Sequence, residues 1–130
     1  MPGWLDAKDW WPGAAFHPAL DIPHAALVVR KGFRRDIDSY SAFQENDHTT
    51  PTGLAGYLRE RGLQHAFFVG LAFDFCVRYS AEDAAREGFR VVVIEDACRG
   101  IDLAGSVAAT RESFAARGIA CVTAVGIAAA

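Results

Sequence analysis

From Ala25 onward, short apolar runs alternate with longer amphipathic ones, a pattern that fits βαβ units around a parallel sheet. Ala25-Ala26-Leu27-Val28-Val29-Arg30 is short, rich in branched side chains and closed by Lys31-Gly32, which predicts a buried strand. Residues 32–50 are polar and read as a loop. Thr50-Pro51 predicts a helix start, since threonine can cap and proline suits the first helical position, and Gly62 predicts its end. Leu54 and Leu58 would share its inner face. Ala66-Phe67-Phe68-Val69-Gly70 predicts a second strand, and a helix from about Asp74 to Gly88 carries Val77, Ala81, Ala84 and Ala85 at helical spacing. Val91-Val92-Val93-Ile94 is continuously apolar, as a strand covered on both faces requires. A last helix over 103–117, opened by Asp102 and stopped by Gly118, leads to a strand near 119–125.

The sum is a four-strand α/β core over residues 25–130, preceded by an irregular lead-in over 1–24 that holds Trp4, Trp10 and Trp11. A length of 130 residues with 52% hydrophobic side chains supports a single domain over 1–130 and argues against disorder. The net charge of -3 disfavours nucleic acid and anionic membrane as partners. No apolar run reaches the roughly 18 residues of a membrane span, and the first residues lack the basic-then-apolar order of a signal peptide. Cys76, Cys98 and Cys121 are odd in number and show no C-x-x-C spacing. A cytoplasmic location is therefore expected over a secreted disulfide framework.

Cys76 follows a strand, the segment Leu71-Ala72-Phe73, and a predicted N-cap at Asp74. That places its sulfur in a first helical turn, where free N–H groups and the helix dipole favour a thiolate and the same donors hold an oxyanion. A small packing residue is the bland alternative, and it is the reading for Cys98 and Cys121. Lys31 stands at the carboxyl end of the first predicted strand. Strand carboxyl ends share one rim where ligands bind, so Lys31 and Cys76 can face one pocket.

Gly70-Leu71-Ala72-Phe73-Asp74-Phe75-Cys76-Val77, Ala81-Glu82-Asp83-Ala84 and Val93-Ile94-Glu95-Asp96-Ala97-Cys98-Arg99-Gly100 resemble the nucleophile region of nicotinamidases, within the isochorismatase-like cysteine hydrolases. Pro12 to Asp21, Arg30-Lys31-Gly32 and Asp38-Ser39-Tyr40-Ser41-Ala42-Phe43 resemble earlier segments of that family in order. The resemblance implies a three-layer α/β/α, Rossmann-like, mostly parallel sheet, truncated to about four strands of the family's six. It implies Cys76 as nucleophile and Lys31 as the basic member of the catalytic set. A cis peptide is implied at Leu71–Ala72, with the N–H groups of Ala72 and Cys76 as oxyanion hole and Tyr40 and Trp11 at the substrate. Phe73 departs from the small polar residue often found at its position.

Two parts of the family pattern are missing. The general-base aspartate of an N-terminal strand has no counterpart stretch, and Asp6 and Asp9 are the only carboxylates before Asp21. The family usually binds a divalent metal such as zinc or iron, yet Trp11-Pro12 runs straight into Gly13-Ala14-Ala15, and His17, His24, His48 and His65 lack ligand spacing. No metal or other cofactor is expected from these residues. The implied activity is hydrolysis of nicotinamide to nicotinic acid and ammonia through a thioester, a step of NAD salvage, with a small carboxamide as partner. The competing expectation is a catalytically impaired relative acting as a fragment or interaction module. The absent first strand is an interior one in the family's sheet, so the resemblance implies open strand edges and with them homo-oligomers such as a dimer, instability or a rearranged sheet.

Overall fold

The computed structural model describes residues 15–128. Three parallel strands form its sheet in the order β1 (His65–Leu71), β2 (Arg90–Arg99), β3 (Ala120–Val122). Phe67 pairs with Val92 and Phe68 with Val93, while Val93 pairs on its other side with Cys121. Among the described residues four helices accompany the strands: α1 (Leu54–Glu60), α2 (Arg78–Arg86), α3 (Ser106–Arg117) and α4 (Ala124–Ala128). A π-helical turn, Phe73–Val77, joins β1 to α2. This is the α/β parallel architecture expected from the alternating pattern.

The core lies against one face of the sheet. Alternation along β1 turns Ala66 and Phe68 toward it, where they meet Val91, Val93, Val77, Ala81, Ala84 and Phe114. Each large apolar side chain buried there contributes about 1.5–3 kcal/mol. Phe73 packs edge-on against Phe114, with ring centroids 5.7 Å apart. Its departure from the family's small polar residue is thus used as core volume. The other face of β1 carries Phe67, Val69 and Leu71, which are 56%, 56% and 73% exposed.

Three helices end by one device. Gly118 adopts φ +68° after α3, a region open to glycine without steric cost, and the N–H of Ile119 bonds back to the Phe114 carbonyl at 2.9 Å. Gly62 and Gly88 close α1 and α2 in the same way, with Leu63 bonding to Leu58 and Phe89 to Ala84. The apolar residue after each glycine folds back onto its helix, so these stops were legible in the sequence.

Other expectations are corrected. Ala25 to Arg30 joins no ladder among the described residues, and Leu27 and Val28 are 44% and 49% exposed. A strand needs a neighbour's hydrogen bonds, and β1 and β2 do not supply them. The first fold-forming strand is therefore β1, and the sheet has three strands among the described residues where four were expected. Thr50-Pro51 does not open a helix: Pro51 bridges to Gln44, the Thr50 hydroxyl donates to Asp47 at 2.6 Å, and α1 starts only at Leu54. The last strand stops at Val122, because Ala124 N–H donates to Asp96 Oδ1 at 2.8 Å and the chain turns into α4. No helix of the described residues is long and apolar enough to cross a membrane.

Candidate active site

Cys76 lies half-buried in the π-helical turn directly after β1. Within that turn the N–H groups of Phe75 and Val77 both bond to the Ala72 carbonyl, at 3.1 and 3.0 Å. The peptide between Leu71 and Ala72 is cis, at the position the family resemblance implied. Lys31 comes to the same place from 45 residues earlier: its Nζ donates to Cys76 Sγ at 3.5 Å and to the Ser39 carbonyl at 3.0 Å. A cation so placed attracts negative charge developing on a nearby oxygen.

Asp74 does not cap its own helix, as the sequence suggested. Its side chain is 1% exposed and accepts from Ile101 N–H at 3.0 Å, Asp102 N–H at 2.8 Å and Ser106 Oγ at 2.5 Å. The carboxylate caps the loop into α3 and ties that loop to the π-helical turn that carries Cys76. Burial pushes its pKa up, but the hydrogen bonds from Ser106, Ile101 and Asp102 outweigh it and hold the carboxyl below its ordinary value. Asp102, expected to open the last helix, sits before it and accepts from Val107 N–H at 3.3 Å.

Two residues of this neighbourhood escaped sequence reasoning. Ser80 Oγ donates to the Cys76 carbonyl at 2.6 Å and accepts from Ala42 N–H at 2.8 Å. The i, i+4 spacing of a serine after Cys76 was the available signal, since such hydroxyls bond back one turn. Ser39, whose carbonyl holds Lys31, left no signal, because any residue supplies a carbonyl. Tyr40 stacks on Tyr79 at 5.7 Å and meets Phe75, the neighbour of Cys76, at 5.9 Å. Trp11, Asp6 and Asp9 lie outside the described residues.

A cavity of about 620 Å³, lined by residues including Phe43, His48, Arg59 and Glu87, has neither Lys31 nor Cys76 in its wall. Its charged side chains are engaged with one another, Arg59 with Glu87 and Arg86 with Asp83. Among the described residues no three of His, Cys, Asp and Glu come together. His17 Nδ1 is taken by Ala19 N–H at 3.1 Å. The described side chains therefore do not fit a divalent metal. Cys98 is buried in the core, and burial raises its thiol above its ordinary pKa, as a packing residue should show. Cys121 is exposed and lies outside that core, so the packing role expected for it is not met.

A family model for the isochorismatase domain matches residues 6–125. This chain belongs to the isochorismatase-domain family. The nicotinamidase of Acinetobacter baylyi is 53% identical over 106 residues, covering 82% of this chain and 50% of that protein. The structure of an Acinetobacter baumanii nicotinamidase/pyrazinamidase superposes with a TM-score of 0.85 at 52% identity, over 88% of this chain and 55% of the other. PnC1 from L. infantum, solved in complex with nicotinate, gives a TM-score of 0.82 at 37% identity, over 87% of this chain and 56% of the other. The isochorismatase-domain chain thus spans about half the length of the relatives it matches.

Proposed function

We propose that this isochorismatase-domain chain carries the nucleophile half of a nicotinamidase-type cysteine amidohydrolase, acting on nicotinamide or a similar small carboxamide. The observation that carries the reading is the 3.5 Å approach of Lys31 Nζ to Cys76 Sγ. Cys76 Sγ, as thiolate, attacks the carboxamide carbon, and the carbonyl π pair moves onto oxygen. Lys31, charged, and the backbone N–H groups of Ala72 and Cys76 stabilise that oxygen. Collapse restores the carbonyl and expels the nitrogen, which takes up a proton from solvent water and leaves as ammonia. The thioester then adds water and releases the carboxylate and the Cys76 thiolate, with two protons passing to solvent. Tyr40, stacked beside Phe75 and Tyr79, offers an aromatic wall for a flat ring.

A relative that matches at 53% identity is a nicotinamidase, which supports hydrolysis over the reading as a non-catalytic module. We further propose that the chain self-associates through the apolar side chains β1 exposes. The direct test of the activity is ammonia release from nicotinamide by the purified chain. Release that disappears in Cys76→Ala supports the proposal, because the thioester has no other source. Release no faster than in Cys76→Ala rejects hydrolysis by this chain.

A further inference from the structure

We infer that Glu45 is a positioning residue that holds Lys31 against Cys76. The inference rests on the Cys76–Lys31 reading and adds the part that fixes its geometry. Glu45 is 1% exposed, a position where a carboxylate is costly unless something answers it. Both of its oxygens are aimed at one donor: Gly32 N–H lies 3.1 Å from Oε1 and 3.1 Å from Oε2. Gly32 follows Lys31 directly and adopts φ +66°, so the grip sets the turn from which the lysine side chain departs. The loop bearing Glu45 is itself pinned, with Glu45 N–H on the Thr50 carbonyl at 2.9 Å and Asn46 N–H on the Asp38 carbonyl at 3.0 Å.

The same loop reaches both reacting partners. Through Ser39 it accepts the Lys31 ammonium, and through Ala42 N–H it is joined to Ser80, which holds the Cys76 carbonyl. Lysine and cysteine come from segments with no mutual ladder, so their register depends on this loop. Glu45 supplies the side-chain grip on the lysine segment, and Ser80 the matching one on the cysteine turn. Neither needs to touch substrate.

The test reads Cys76 directly and does not require amide hydrolysis. Folded protein is alkylated with iodoacetamide at pH 7, and Cys76 is quantified by peptide mass alongside Cys98 and Cys121. Lys31→Met should slow Cys76 by about tenfold, the effect of losing a neighbouring cation. Glu45→Met, which keeps the volume but offers no acceptor oxygen, should slow it to a similar extent, and the double variant should be no slower than Lys31→Met alone. Glu45→Gln keeps one acceptor oxygen and should restore most of the rate, leaving a loss of about twofold that vanishes when Lys31 is replaced. If Glu45→Met does not fold, the cycle with Glu45→Gln decides. Loss at Glu45 that adds to the loss at Lys31, or no loss in any Glu45 variant while Lys31→Met is slow, overturns the inference. If Lys31→Met leaves Cys76 unchanged, the underlying pair reading fails instead.

Discussion

At the scale of single residues, the side chains that matter most here act through backbone groups far away in sequence. Asp74 illustrates this: it lies within the π-helical turn that carries Cys76 but spends its three hydrogen bonds on residues 101, 102 and 106. Replacing it with asparagine turns an amide donor toward groups that also donate. Asp74→Asn should cost about 2–4 kcal/mol in urea unfolding at pH 7. Because the native pKa of Asp74 is depressed, its stabilisation is full above the ordinary carboxylate value near 3.9 and is lost as pH falls through the lower native value. The stability gap between the two proteins should therefore narrow below about pH 4, which unfolding curves at stepped pH will read. The sequence showed that an acid belongs there. It did not show which backbone the acid serves, since an N-cap and a cross-loop clamp look alike in a one-dimensional pattern.

At the scale of elements, the helix ends were legible, as was the helical start near Asp74, while the starts expected at Thr50-Pro51 and Asp102 were not met. The stops rest on a glycine followed by an apolar residue, a local device that needs no tertiary partner. The starts were decided by competition: Pro51 was taken by Gln44, and Thr50 by Asp47. The join between β2 and α3 shows how tight such a contact becomes. A Cβ added at Gly100 would stand 2.6 Å from Val107 Cγ2 and 3.6 Å from Asp74 Oδ1. Gly100→Ala should lower stability by about 1–3 kcal/mol through overpacking. The double variant Gly100→Ala with Val107→Ala should recover part of that loss, and thermal unfolding of the single and double variants checks both outcomes.

At the scale of the whole molecule, a core covers one face of the sheet while β1 presents Phe67, Val69 and Leu71 on the other. An apolar patch of this kind marks an interaction surface or an association hazard. Sedimentation should show association that rises with concentration, and Val69→Lys with Leu71→Lys should shift the chain toward the monomer. A monomer at all concentrations would reject self-association through this face. The sequence by itself determined the α/β class, β1 and β2 and the order of elements, because periodicity and glycine stops are local properties of the chain. It also marked Cys76 and Lys31, through residue type and motif. Only the tertiary structure decided that Ala25 to Arg30 finds no ladder, that Asp74 clamps α3, and that Ser39, Glu45 and Ser80 bring the lysine to the sulfur. Those outcomes depend on which groups reach one another across the fold, and a hydrogen bond to a backbone atom leaves little trace in the identity of the residue that provides it.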